Sequence, residues 1–118
     1  MKTKLIVLAL TIVMTSCVQK TYKRVIVVTL DVSKVKNVKV VGIRGDGKPL
    51  SWETDYPMQQ LVKDSLYKTV ISTKTGYLFA EGKCTVNGNF ELQNKPNRRV
   101  IFDTKNDTTY VNWVFDKE

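Results

Sequence analysis

Apolar and polar residues alternate along much of the chain from residue 22 onward. Residues 22–32 set apolar side chains at even positions and several polar ones at odd positions. The apolar even positions are Ile26, Val28, Leu30 and Val32, and the odd positions include Lys23, Thr29 and Asp31. A period of two is typical of a strand with one buried face. We therefore predict a strand over residues 22–32 whose even positions face a core.

The same reasoning predicts six further short strands, over residues 35–43, 66–73, 77–86, 90–92, 99–102 and 109–115. Residues 45–49 form a strong turn signal, and Asn87-Gly88 is the sequence of a two-residue type I′ hairpin turn. Residues 50–63 lack a clear period and contain Pro57, which predicts a structured loop. No amphipathic helical pattern of useful length is present.

Short strands in this number favour an all-β fold, an immunoglobulin-like antiparallel β-sandwich of about seven strands over residues 22–118. A small barrel is the alternative. The length of 118 residues suits one domain, and a composition of 42% hydrophobic and 25% charged residues argues against disorder.

The first sixteen residues resemble a bacterial lipoprotein signal peptide. A basic start precedes an apolar run over residues 5–14, and Thr15-Ser16-Cys17 ends it like a lipobox. That run is too short for a transmembrane helix. We predict a signal peptide over residues 1–16, a lipidated Cys17 and a tether over residues 17–21. An ordinary secretory signal and an uncleaved anchor are the alternatives.

Lipidation at Cys17 predicts an exported protein anchored to a bacterial membrane. Acidic runs often follow the lipidated cysteine in surface-exposed lipoproteins of the phylum Bacteroidota, and none follows Cys17. We therefore expect an outer-membrane protein that faces the periplasm.

Charge and residue types narrow the function. The formal charge is +8, and it becomes +6 once Lys2 and Lys4 leave with the signal peptide. Export and the scattered lysines argue against nucleic acid, so a basic surface near anionic headgroups is the preferred interpretation. The chain has no histidine, which removes the common Ser-His-Asp and Cys-His nucleophile systems. We expect no enzyme activity, no cofactor and no metal.

Three stretches in register resemble a starch-binding domain, that is, carbohydrate-binding module family 20 and its relatives. The first is the strand Asn37-Val38-Lys39-Val40-Val41-Gly42 followed by Pro49-Leu50-Ser51-Trp52-Glu53, similar to the family's Leu-Gly-x-Trp loop. The others are Glu81-Gly82-Lys83-Cys84, similar to Glu-Tyr-Lys-Phe, and Pro96-Asn97-Arg98. The resemblance covers residues 25–102 and implies the same sandwich fold.

The resemblance also implies a sugar site. Trp52 matches the family's first binding tryptophan and Lys83 its strand lysine, while the second tryptophan would fall near Leu92 and is missing. Tyr56 and Tyr77 are further candidates for aromatic surface near Trp52. From the residues alone, Trp52 is either an exposed platform or a plug under its loop, Lys83 is either a ligand or a solvated strand lysine, and the tyrosines are either ligands or packing residues.

Other candidates receive structural interpretations. Alternation places Cys84 with Leu78, Ala80 and Val86 on a buried face, and it places Trp113 in the core. Asp46, Glu53, Asp55 and Asp64 match no calcium loop and no glycosidase pair. The run Asn97-Arg98-Arg99 should tie a loop to the sheet.

Two function classes remain. The first is a non-catalytic, membrane-anchored carbohydrate-binding module for starch, another α-glucan or another polysaccharide, with a partner protein of a glycan-utilisation system. The second is a structural or protein-interaction lipoprotein that keeps the sandwich without sugar binding.

Overall fold

The computed structural model describes residues 20–118, which form nine β-strands. The predicted signal peptide and Cys17 lie outside the described residues. The strands are β1 (Tyr22–Asp31), β2 (Val41–Gly45), β3 (Tyr56–Pro57), β4 (Gln59–Val62), β5 (Leu66–Thr75), β6 (Phe79–Val86), β7 (Asn89–Phe90), β8 (Arg98–Ile101) and β9 (Thr108–Val114). Within this part of the chain, no helix could cross a membrane.

The first sheet has the strand order β4-β5-β1-β9. Strands β1 and β5 pair antiparallel along their full length, from Tyr22 opposite Thr75 to Asp31 opposite Leu66. Strand β9 pairs with the other edge of β1 in parallel orientation, with Val25 opposite Thr108.

The second sheet has the order β3-β2-β6-β7, and β8 also pairs with β6. All of its pairings are antiparallel. Strands β2 and β6 approach closely where Gly45 lies opposite Gly82. A Cβ added at Gly82 would lie 2.7 Å from the carbonyl oxygen of Arg44, so a larger residue there would displace backbone.

The core lies between the two sheets, and this arrangement confirms the predicted all-β sandwich. All four apolar even positions of residues 22–32 are buried, at 3% exposure or less. The second sheet contributes residues such as Val41, Ile43, Cys84 and Val100 to the same cluster. The period of two was therefore a correct indication of which face of β1 is buried.

Three details differ from the prediction. Residues 35–40 are not part of a strand, so β2 begins only at Val41. The predicted loop over residues 50–63 contains β3 and β4, which raises the strand number from seven to nine. One pair, β1 with β9, is parallel rather than antiparallel because the chain crosses from the second sheet to the free edge of β1 after β8.

The predicted Asn87-Gly88 turn is confirmed. Asn87 has φ of 52° and Gly88 has φ of 79°, and a type I′ turn requires positive φ at both central residues. The Asn87 side chain also accepts hydrogen bonds from the backbone N–H groups of Lys39 and Val40. The hairpin of β6 and β7 is thereby joined to the segment that leads into β2.

Candidate functional site

A pocket of about 510 Å³ opens on the outer face of the second sheet. Two aromatic rings, Trp52 and Phe90, line it together with Lys83. Gly88 also lines it, and so do four residues with amide side chains: Asn89, Gln93, Asn94 and Asn97. The pocket thus combines apolar ring surface with many hydrogen-bonding groups.

Trp52 lies between β2 and β3 and is half-buried. Its indole Nε1–H donates to Oδ1 of Asp46 at 2.6 Å, and its backbone oxygen accepts from Arg44 at 3.4 Å. The residue does not belong to the core cluster. Trp52 is therefore partly exposed outside the core cluster and held by a polar contact, and its role as a platform or as a plug stays a prediction.

Phe90 supplies the second ring of the pocket, and the sequence analysis did not identify it. Its ring centroid lies 6.2 Å from that of Trp52, with an angle of 50° between the ring planes. The guanidinium of Arg44 lies 5.1 Å from the Phe90 centroid, within the range of a cation–π contact. Arg44 in turn pairs with Asp55 at 2.7 Å. Phe90 is therefore supported by a charged pair on β2 and the loop that follows it.

Leu92, where the resemblance places a second tryptophan, does not line the pocket. It is buried at 5% exposure and has φ of 49°. Its N–H donates to Oδ1 of Asp116 at 2.7 Å, which holds this part of the chain against the end of β9. Phe90 itself could have been noticed in the sequence as an aromatic residue two positions after the Asn-Gly turn. In the structure it lies on the returning strand of this hairpin, opposite Thr85.

Lys83 extends from the outer face of β6, as its alternation with buried Cys84 predicts. Its ammonium donates to the backbone oxygens of Leu92 and Lys95, both at 2.9 Å. An ammonium has three N–H donors, so one donor remains after these two bonds. Lys83 therefore fixes the loop that carries the pocket amides and lines the pocket as well. It is not simply a solvated strand lysine.

A buried ion pair at the start of the same loop also holds the loop in place. The Glu91 carboxylate is fully buried and bonds Arg98 twice, at 2.7 and 2.8 Å. It also accepts from the backbone N–H of Cys84 at 2.7 Å and of Asp116 at 3.2 Å. Burial alone would lower the pKa of Arg98, but the hydrogen bonds and charge of Glu91 outweigh it and raise that pKa.

Arg98 connects this ion pair to the end of the chain. It donates to the backbone oxygens of Val114 and Lys117, and its guanidinium lies 4.9 Å from the Trp113 ring. Neighbouring Arg99 instead pairs with Glu81 at 2.8 Å, and this hydrogen bond lowers the pKa of Glu81. The predicted tie between the loop at residues 97–99 and the sheet is therefore confirmed. Trp113, which we expected in the core, is only partly buried against it.

The two tyrosine candidates do not join the pocket. The Tyr56 hydroxyl donates to the backbone oxygen of Val70 at 3.3 Å. Tyr77 is 71% exposed and lines a different groove. The expectation that they add aromatic surface beside Trp52 is not met, because β3 turns Tyr56 toward β5 and Tyr77 precedes the start of β6.

Cys84 is fully buried, as predicted. Burial is the main cause that raises the pKa of its thiol well above the ordinary value, and the charge of Glu91 adds to it. Leu78, which we expected on the same face, is 69% exposed because β6 begins only at Phe79. Among residues 20–118, no cluster of three or more acidic or cysteine side chains is placed to hold a metal ion.

Comparisons with known proteins give a structural relative only. No family model and no curated protein matches the sequence. A solved structure, the glycoside hydrolase family 15 glucoamylase from Hypocrea jecorina, superposes with a TM-score of 0.62 at 12% identity. The match covers 80% of this chain and 17% of the glucoamylase. At this identity the likeness supports the sandwich fold and no more.

Proposed function

We propose that the protein is a non-catalytic carbohydrate-binding module that takes an α-glucan or a related polysaccharide at the Trp52–Phe90 pocket. The observation that carries the proposal is the tilted pair of aromatic rings beside a lysine and four amides. A second ring is what the sequence resemblance lacked at Leu92, and Phe90 provides one from another position.

The chemistry of sugars fits this arrangement. Pyranose rings present apolar C–H faces that stack on aromatic rings, and their hydroxyls exchange hydrogen bonds with amides and ammonium groups. Two rings inclined by 50° suit a curved chain better than a flat one. Trp52 and Phe90 would each carry a sugar face, and Lys83 would donate its remaining N–H to a hydroxyl.

The comparison gives further, general support. The related solved structure is named a glucoamylase, and the chain matches 17% of its length. A fold shared with part of such a protein makes a glucan a reasonable first ligand to test. The proposal also includes a separate partner protein of a glycan-utilisation system, which would carry the catalytic activity.

The expected affinity is weak. The pocket is open, and one of its rings is the smaller phenyl group, so we expect a dissociation constant of roughly 1 mM, equivalent to about −4 kcal/mol. Affinity electrophoresis in gels that contain soluble starch or glycogen suits this range, because the polysaccharide presents many sites.

The test compares three variants. Trp52→Ala and Phe90→Ala should each abolish retardation in the starch gel, because each removes one stacking surface. Tyr110→Ala is the matched control, since Tyr110 is 73% exposed on β9, in the other sheet. Retardation that survives both pocket variants, or none for the wild-type protein with any glucan, would contradict the proposal.

One observation favours the second candidate function, a structural or protein-interaction role. The polar groups of Trp52 and much of Lys83 are already used in internal hydrogen bonds. If the pocket is only structural, Trp52→Ala should lower stability by about 3–5 kcal/mol. A platform should lose much less, because Trp52 does not belong to the core cluster.

Anchoring to the membrane is the remaining part of the proposal. The basic start, the apolar run and Cys17 support export, cleavage before Cys17 and lipidation there, with the module facing the periplasm. Mass spectrometry of the N-terminus of protein from the membrane fraction tests this. An unmodified N-terminus at another residue would contradict it.

A further inference from the structure

A second and larger groove lies at the end of the sandwich where β1 begins. Its volume is about 1370 Å³. The walls come from the first residues of β1, the end of β5, the turn over residues 46–49 and the start of β6. It is separate from the sugar pocket, although Asp46 contributes to its rim and also holds Trp52.

Large apolar side chains are exposed at this end. Tyr77 is 71% exposed, Leu78 69% and Ile101 73%, and Phe79 lies opposite Ile101 in the β6–β8 pair. Tyr22, at the start of β1, is also exposed. Tyrosine has an apolar ring and a polar hydroxyl, and it is enriched where an apolar surface meets water, as at a bilayer interface.

The charge of the groove is positive. Lys23, Lys48 and Lys74 line it, and within residues 20–118 none of the three forms an ion pair. Two acidic residues also line the groove, but Glu81 is paired with Arg99, so in this part of the chain the three lysines outnumber the one unpaired carboxylate, that of Asp46. Exposed tyrosines among unpaired lysines complement an anionic lipid surface.

The position of the predicted anchor agrees with this assignment. Cys17 precedes Tyr22, the first residue of β1, by five residues, which span at most about 18 Å when fully extended. A lipid at Cys17 would therefore keep the β1 end of the sandwich close to the headgroups. This step rests on the anchoring that we propose above.

We propose that the groove end is a membrane-docking surface that seats the module on anionic phospholipid headgroups. The exposed tyrosines and leucine enter the interfacial region, and the three lysines face the phosphates. The sugar pocket, formed farther along β6 around Lys83, then lies to the side of the module and open to a polysaccharide. Lipid anchoring would thus fix orientation as well as location.

The experiment uses the unanchored chain that begins at Val18, which contains every described strand and the whole core. Its cosedimentation is measured with vesicles of phosphatidylglycerol mixed with phosphatidylcholine and with vesicles of phosphatidylcholine alone. We expect binding only to the anionic vesicles, and we expect it to weaken as salt screens the charges.

Charge variants locate the surface. Replacing Lys23, Lys48 and Lys74 together by Gln should weaken vesicle binding about a hundredfold, since each lysine near an anionic bilayer contributes about a fivefold factor. The matched control replaces Lys34, Lys36 and Lys39, which lie between β1 and β2 at the opposite end of the sandwich, and it should bind within a few-fold of wild type.

Apolar variants test insertion. Tyr77→Ser combined with Leu78→Ser should weaken binding, whereas Tyr110→Ser, at an equally exposed tyrosine on β9, should not. Equal losses in the groove and control lysine variants, or no binding of the wild-type chain, would overturn the proposal. So would glucan binding that depends on the groove lysines. Vesicle binding that persists in Trp52→Ala separates this proposal from the sugar site.

Discussion

The buried Glu91–Arg98 ion pair holds the loop that carries the Trp52–Phe90 pocket, and Glu91→Gln tests how much this ion pair contributes to stability. The carboxylate accepts four hydrogen bonds, two from Arg98 and one each from the backbone of Cys84 and Asp116. Glutamine keeps the size of the side chain but replaces one oxygen with an NH₂ group. In either orientation of the amide, that group faces one N–H of Arg98 and one backbone N–H.

The magnitude follows from the burial of both partners. The Glu91 side chain has no exposed surface and that of Arg98 only 9%, so the variant leaves a guanidinium charge without its counter-charge away from water. Removing one partner of a buried pair costs about 3–5 kcal/mol. A loss of this size should lower the melting temperature by roughly 15–30 °C in a domain of about 100 residues.

Urea unfolding followed by tryptophan fluorescence measures the change in the free energy of unfolding. Glu118→Gln is the matched control, because Glu118 pairs with Lys95 at 3.7 Å on the surface and should cost less than about 1 kcal/mol. The double variant Glu91→Leu and Arg98→Met should recover only part of the loss. A packed apolar pair can replace a buried ion pair, but the buried N–H of Cys84 is then left without its acceptor. A Glu91→Gln protein within about 1 kcal/mol of wild type would refute the reasoning.

Three further predictions concern the buried cysteine, two glycines and three carboxylates. Cys84 is fully buried with a raised thiol pKa, so it should react with a thiol reagent only after unfolding, and rapid labelling of the native protein would contradict its placement. Gly82→Ala should lower the free energy of unfolding, measured in urea, by about 1–3 kcal/mol, because the new Cβ would meet the Arg44 carbonyl oxygen. Gly88→Ala is the control, because a Cβ there would meet no atom within 4 Å. It should cost only the backbone strain of a positive φ, about 1 kcal/mol. Hydrogen bonds lower the pKa of Asp31, Glu81 and Asp103 in the folded state. The stability that these carboxylates contribute is therefore present above their unfolded pKa values of 3.8 to 4.5 and is lost as pH falls through the folded pKa values. The melting temperature should decline over this acidic range, and a rise would contradict the prediction.

Sequence patterns identified the parts of the fold in which burial follows a simple period. From Ile26 to Leu30 in β1 every second side chain is buried, so alternation revealed both the strand and its inner face. The Asn87-Gly88 turn was equally accessible, because its backbone geometry selects these residues. Strand β4 could not be recognised in this way, since all four of its residues are exposed on an edge and leave no alternation.

The Trp52–Phe90 pocket was only partly predictable for a related reason. Trp52 and Lys83 occupy positions that a sequence resemblance can align, and the structure does bring them together. Phe90 reaches the pocket through its place on the β7 hairpin, opposite Thr85, and its distance from Trp52 in sequence gives no sign of that contact. Tyr77 was expected to add aromatic surface near Trp52, but its side chain lines the groove at the β1 end instead.

Binding of a glucan at the Trp52–Phe90 pocket is best tested by a titration of ¹⁵N-labelled protein with malto-oligosaccharides. The chain has two tryptophans, and the indole N–H of Trp52 is bonded to Asp46 inside the site. Trp113 does not line the pocket and packs against the core and Arg98, so its indole signal is an internal reference. We predict that the Trp52 indole signal shifts with a dissociation constant of roughly 1 mM while that of Trp113 stays fixed. Two unmoved indole signals, or equal shifts of both, would contradict the assignment of this pocket as the sugar site.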